Sequence, residues 1–236
     1  MADFEIKNGV AVIPEGTTTI GHNAFRDCSS LQSITIPESV TKIGERAFEG
    51  CSSLQSITIP EGVTEIGEGI FVGCNSLQNI VVAKGNPKYD SREGCNAIIE
   101  TATNALIDGC QSTIIPESVT VIGEYAFKDC SSLQSITIPE SVTVIGRVTF
   151  LGCSSLQNIV ISKGVKRIED YAFSGCTALT TITLPIGVNK ISLYGCEALT
   201  TIYVPAKKTD YYKQRLPEPL HSLIVELQPE KKAKKK

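Results

Sequence analysis

The block Cys-Ser-Ser-Leu-Gln opens at Cys28, Cys51, Cys130 and Cys153, and a variant, Cys-Asn-Ser-Leu-Gln, opens at Cys74. The steps Cys28–Cys51, Cys51–Cys74, Cys130–Cys153 and Cys153–Cys176 are each 23 residues long. On length alone 236 residues make one or two ordinary domains. Self-similarity at a fixed short period overrides that count and specifies stacked coils, because each unit is too small to bury its own apolar face.

Within a unit the apolar positions keep step. Leu31, Ile34, Ile36, Val40, Ile43, Phe48 and Cys51 return as Leu54, Ile57, Ile59, Val63, Ile66, Phe71 and Cys74. Ile34-Thr35-Ile36 alternates and is β-branched, so it reads as a short strand with its isoleucines inward. Pro37 ends it, since proline has no N–H for the ladder. Val40 and Ile43 mark a second, shorter extended segment. Gly44 follows, in a place shared by Gly21, Gly67, Gly123 and Gly146, where either a positive φ or a close main-chain approach is required. The stretch Glu45–Cys51 is predicted to form about one turn of helix with Phe48 inward.

The pattern LxxIxIPxxVxxIGxxAFxxC resembles the BspA-like class of bacterial leucine-rich repeats, and its Ile-Pro, Ile-Gly, Ala-Phe and Cys landmarks recur in phase along nearly the whole chain. The resemblance implies a curved, right-handed, β-rich leucine-rich repeat solenoid with short strands and small helical turns, here about ten rungs. Members of that class are often surface proteins that bind host matrix proteins or join cells, so the resemblance implies a protein partner.

Three irregularities interrupt the period. Cys74 to Cys110 spans 36 residues, Cys110 to Cys130 spans 20, and Cys176 to Cys196 spans 20. In the first, segment 84–110 holds Ala97-Ile98-Ile99 and Ala105-Leu106-Ile107 around Thr-Ala-Thr-Asn, a hairpin either projecting from the solenoid or stacked within it. In the last, Leu193 stands where phenylalanine is due. The expected organisation is a solenoid over 1–205, a helix-strand cap over 206–227 and a disordered lysine-rich tail over 228–236. The cap reading aligns Leu220, Leu223 and Val225 with Leu199, Ile202 and Val204, and takes Thr209–Leu216 as helical. At the other end Phe4–Pro14 supplies a starting strand.

Charge and composition narrow the function. The chain has a net charge of −3, and its last six residues carry five lysines, so the remainder stands near −8. An acidic body argues against nucleic acid as the main partner. No apolar run approaches the roughly 20 residues that span a bilayer. The opening Met1–Gly16 has no charged-then-apolar leader pattern, so the chain as written reads as cytoplasmic, and as secreted or surface-bound if it is a trimmed mature form. A monomer is expected.

Nothing in the sequence points to catalysis or a cofactor. Nine cysteines occur, but one per repeat in a core position reads as a column of buried thiols, with Cys95 outside it as the most exposed. No C-x-x-C pair offers metal ligands. His22 and His221 lack a nucleophile partner. The glutamates that follow prolines, Glu15, Glu38, Glu61, Glu117 and Glu140, are read as solvated turns, with cation binding as the alternative.

The candidate binding surface is the outward side of the strands. One column runs Ser33, Ser56, Asn79, Ser135, Asn158, Thr181 and Thr201. A second runs Thr35, Thr58, Val81, Thr137, Val160, Thr183 and Tyr203, beside a glutamine column at Gln32, Gln55, Gln78, Gln134 and Gln157. The surface is small, polar and uncharged, and two roles are open for it: a ladder that ties rungs together, or a face that docks another protein. Tyr203, Tyr211 and Tyr212 are the candidate anchors. The leading expectation is a non-catalytic recognition protein, and the other is an intracellular structural or regulatory scaffold.

Overall fold

The computed structural model describes residues 4–188 and 191–228. The chain winds into a β-solenoid of about nine turns, each with a face strand, a second short strand and a turn segment. Face strands are Val10–Val12, Ser33–Thr35, Ser56–Ile59, Asn79–Val82, Ser135–Thr137, Asn158–Val160, Thr181–Thr183, Thr201–Val204 and Ile224–Glu226. Each pairing among them is parallel and in register, as Ser56 with Asn79 and Ser135 with Asn158 show. The tenth rung expected from the pattern is Thr113–Pro116, which joins no strand.

The second strands stack likewise: Thr19–Ile20, Lys42–Ile43 and Glu65–Ile66 in one ladder, then Val121–Ile122, Val144–Ile145 and Arg167–Ile168 in another. A glycine follows each of these strands except Arg167–Ile168, and at Gly44, Gly67, Gly123 and Gly146 it is there for close approach. A Cβ on Gly44 would lie 2.5 Å from the His22 nitrogen, and one on Gly67 would lie 2.3 Å from that of Glu45.

The third side corrects the helical expectation. Asn23, Arg46, Tyr125, Val148 and Tyr171 all have φ between 49° and 62°, at the second place of the segment. A left-handed residue there breaks any helix. What forms instead is a succession of β-turns, with Arg26 N–H donating to Asn23 O (3.0 Å) and Cys28 N–H to Phe25 O (3.1 Å). These turns stack through main-chain bonds from one coil to the next, such as Phe48 N–H to Ile70 O (3.0 Å) and Phe150 N–H to Ala172 O (2.8 Å).

Phenylalanines line that side inside the core. Phe4, Phe25, Phe48 and Phe71 stack with centroids 5.2, 5.4 and 5.9 Å apart, and Phe127, Phe150 and Phe173 at 5.2 and 5.4 Å. The rings form two separate piles because the inserted segment divides the core. Strands Ala97–Glu100 and Ala105–Gly109 pair antiparallel, and Ala105–Gly109 also pairs parallel with Val121–Ile122. Ala97, Ile98 and Ile99 are all buried: Ile98 joins the N-terminal cluster, Ala97 and Ile99 the C-terminal one. The hairpin is therefore a partition inside the solenoid.

Side chains knit the segment in. Asn86 Nδ2 donates to Pro60 O (2.9 Å) and Val63 O (2.8 Å), while its Oδ1 accepts from Tyr89 N–H (2.8 Å). Arg92 grips Asp90 through Nε (2.8 Å) and Nη2 (2.7 Å) and donates to Asn104 Oδ1 (2.8 Å).

At the start, Ile6–Lys7 folds back on Val10–Val12 through Asn8 and Gly9, both at positive φ (52° and 79°), as a two-residue hairpin requires. At the end, helix Thr209–Lys213 and the 3₁₀ turn Glu218–Leu223 precede Ile224–Glu226, which pairs with Thr201–Val204. The register is Ile202 with Ile224 and Tyr203 with Val225. That is one residue off the alignment made from sequence, and a one-residue slip exchanges the two faces, so Val225 points outward. The lysine-rich run 229–236 lies outside the described residues.

The thiols follow the core. Cys51, Cys74, Cys153, Cys176 and Cys196 each donate Sγ–H to the carbonyl of an earlier phenylalanine, at 3.1–3.2 Å. Burial pushes Cys51 and Cys176 up to about 12. Cys95, expected outside, is buried because the partition strand draws it under the C-terminal core; Cys28 is the one incompletely covered thiol among the described residues. A thiol-specific reagent should therefore label one cysteine in the native protein and nine after denaturation. Cys28→Ser should abolish the native signal and Cys95→Ser should leave it intact, as read by mass spectrometry.

Candidate recognition face

Alternation on a short parallel strand sends Ile57 inward and Ser56 and Thr58 outward, and 23-residue stacking turns single positions into columns. Ser56, Thr58, Asn79, Val81, Ser135, Thr137, Asn158 and Val160 are exposed. Ser33, Thr181, Thr183, Thr201 and Tyr203 are half-buried, and Thr35 is exposed. The structure thus brings the sequence-derived columns onto one side of the molecule.

Four residues extend them that sequence reading left out. Val10 and Val12 pair with Ser33 and Thr35, and Val225 pairs with Tyr203. Ile114 flanks the Ser135–Thr137 strand along a shallow groove. The signal was present for two: Val12 and Ile114 stand directly before Ile-Pro, as Thr35 does before Ile36-Pro37. Val12 is 64% exposed, Ile114 74%, Val160 62% and Val81 48%. The second column is therefore a stripe of methyl groups and hydroxyls with no charge in it.

The polar side chains of the face differ in how they are tied. Asn158 Oδ1 accepts from Thr181 Oγ1 (2.7 Å) and Thr180 Oγ1 (3.2 Å), which is a rung-to-rung tie. Among the described residues, the side chains of Thr35, Thr58, Thr137, Ser56 and Ser135 make no such bond. These five hydroxyls are not tied to neighbouring rungs.

Two anchors are used elsewhere. Tyr212 is buried and its O–H donates to Pro185 O. Tyr211 is half-buried under the Arg215 guanidinium, 3.6 Å from its ring centre, and donates to Val188 O (3.3 Å). Both tyrosines close the last coil, whose apolar end needs covering, and only Tyr203 remains on the face.

Charges lie off the face and are matched between coils. Lys42 meets Glu65 (2.8 Å), Arg147 meets Glu124 (3.3 Å) and Lys163 meets Glu140 (2.9 Å), each pair one period apart. Of the post-proline glutamates, Glu38 ties its turn to the next, its Oε2 accepting the N–H of Glu61 (3.1 Å). His22 and Glu45 sit side by side at 3.9 Å on the surface. Among the described residues no group of three or more His, Cys, Asp or Glu is placed to hold a metal ion. No described helix is long and apolar enough to cross a membrane.

A stack of coils with a phenylalanine spine, a cysteine column and a parallel strand face is a leucine-rich repeat protein. The family described as BspA type leucine rich repeat region matches residues 6–92 and 97–215 in six copies, and the chain belongs to that family. It is similar to a leucine rich cell surface protein from Faecalibacterium prausnitzii at 32% identity, with a TM-score of 0.65, over 89% of this chain and 62% of that one. A leucine-rich repeat protein from Bacteroides ovatus is 28% identical, with a TM-score of 0.58, over 91% and 54%. The pneumococcal vaccine antigen PcpA shares the fold at 21% identity and a TM-score of 0.68, over 83% and 56%. The chain thus spans between 54% and 62% of the length of these three. No curated protein matches it significantly.

Proposed function

We propose that this protein is a non-catalytic recognition module whose strand face docks another protein, in the manner of a cell-surface adhesin. One observation carries the reading: an uncharged column with exposed Val12, Val81, Ile114 and Val160 between threonines whose hydroxyls are unspent inside the molecule. Exposed apolar groups set among unsatisfied polar ones suit a protein surface better than bulk water. Similarity to a cell-surface protein supports the adhesive form of this reading. In this scheme residues up to 205 form the recognition array and 206–227 seal its last coil. The hairpin serves the array from within, since Ala97, Ile98 and Ile99 of its first strand are buried.

Thr58→Lys and Thr137→Lys test the face. Both positions are exposed, so stability should change by no more than about 0.5 kcal/mol. A charge set into a neutral docking column should weaken capture of the partner at least tenfold, which is about 1.4 kcal/mol. Capture equal to wild type for both variants, with the fold intact by circular dichroism, removes the strand face as the contact.

A further inference from the structure

We infer that the partner enters the recognition face as an extended segment, adding a strand to the open edge of Ser135–Thr137. The inference rests on the recognition reading above and names the partner's chemistry: a run of uncharged residues that offers its main chain.

The regular rungs show how an edge is closed. Gln55 N–H donates to Gln32 O (3.2 Å), Gln78 N–H to Gln55 O (3.0 Å) and Gln157 N–H to Gln134 O (3.1 Å), each one coil back. Ile13 N–H and Ile161 N–H donate the other way, to Thr35 O and Thr183 O of the next coil (both 3.1 Å). On this pattern the main-chain groups of Gln134, Ser135 and Thr137 are due to meet 111–115. Among the described residues no main-chain hydrogen bond joins 111–116 to 134–139. Strand Ser135–Thr137 accordingly stands at the end of its sheet, paired with Asn158–Val160 on one side and open on the other.

The cause lies in the coil before it. Cys110 to Cys130 spans 20 residues instead of 23, and the main chain there is spent on the partition. Ile114 N–H donates to Cys95 O (3.0 Å), and Ser112 O accepts from Asn96 Nδ2 (3.4 Å). Between the two rungs lies a cleft of about 360 Å³, with Thr113, Ile114 and Ile115 on one wall and Ser135, Thr137 and Pro139 on the other. A second hollow of about 350 Å³, between Gln111 and Gln134, continues it past Ser135. A strand edge with unpaired N–H and C=O groups is a template for another strand. Main-chain pairing supplies the affinity, and side chains at alternate places supply the specificity. The outward residues on either side, Val81, Ile114 and Val160, carry no charge, so a segment that continues their column is uncharged.

The probe is an acetylated, amidated peptide with the sequence of Leu54–Pro60, a regular rung of this chain, added to the whole protein and followed by amide exchange in NMR. Without peptide, the Gln134, Ser135 and Thr137 amides should exchange at least about tenfold faster than the bonded amide of Gln157. Peptide at about 1 mM should slow all three at least about twofold, the change that a dissociation constant of about 1 mM gives. The same peptide N-methylated at its two isoleucines lacks the N–H groups due to reach Ser135 O and Thr137 O, and should have no effect. Three results overturn the proposal: the three amides as protected as Gln157 in the free protein, no slowing with peptide, or equal slowing by both peptides. Weakened capture by Thr58→Lys beside an inert peptide strikes the open edge alone and leaves the recognition reading standing. Full capture by both lysine variants, with a peptide that still protects the edge, removes the face reading and keeps the edge as a strand-binding site.

Discussion

Gly67→Ala should destabilise the protein by about 3 kcal/mol, while Gly21→Ala, at the same place two coils earlier, should be neutral or stabilising by up to about 1 kcal/mol. Neither glycine has a positive φ, so the backbone tolerates alanine at both. The difference is the neighbour. At Gly67 the added Cβ would meet the Glu45 nitrogen at 2.3 Å and its Cα at 2.6 Å. Those atoms belong to the main chain and cannot swing aside, so relief requires the coils to separate and to lengthen bonds such as Gly67 N–H to Ile43 O (2.8 Å). Gly21 lies in the first coil, and nothing stands within 4 Å of its added Cβ. Urea denaturation of the two variants measures the contrast. Equal losses would show that the glycine column serves the chain's conformation and not the spacing of its coils.

The stacked core was legible in the sequence because it obeys one period: every position predicted inward from Leu31 to Cys153 in the regular repeats, Ile34 and Ile66 alone being half-covered, is buried. The turns were not, because Arg46, Tyr125 and Val148 are residues that announce no left-handed backbone, and only stacking between coils holds them there. Segment 84–110 was legible as a hairpin but not as a partition. Its register shifts between Ile98 and Ile99, and that irregularity lets Ile98 and Ile99 serve opposite cores. Asp108 reads as surface in any pattern of alternation, yet it is buried, because its strand pairs with Ala97–Glu100 inside the solenoid. On the face, Thr58 and Thr137 were visible as columns, whereas Ile114 sits in a rung too short to look like the others. Near the end, the 3₁₀ turn through Leu223 uses one residue more than the strand pattern allows, which moved the register of Val225.

Phe150→Ala should cost about 3–5 kcal/mol, and the loss should fall on the C-terminal core alone. The ring is fully buried between Phe127 and Phe173, at 5.2 and 5.4 Å, so truncation leaves a cavity and breaks two stacked contacts. In a solenoid each coil touches only its neighbours, so damage spreads through interfaces and weakens where an interface is weak. Here the partition is such a place: the phenylalanine pile stops at Phe71 and resumes at Phe127, and buried residues fall into two clusters. Amide exchange resolves this by position. Protection at Phe127 and Cys153, whose bonds reach Thr149 O (2.9 Å) and Phe150 O (3.2 Å), should drop by a hundredfold or more, since about 1.4 kcal/mol is tenfold. Protection at Phe25 and Cys51 should stay within about threefold of wild type. A uniform loss across both clusters would mean that the partition transmits stress as well as an ordinary coil does, and that the two cores unfold as one.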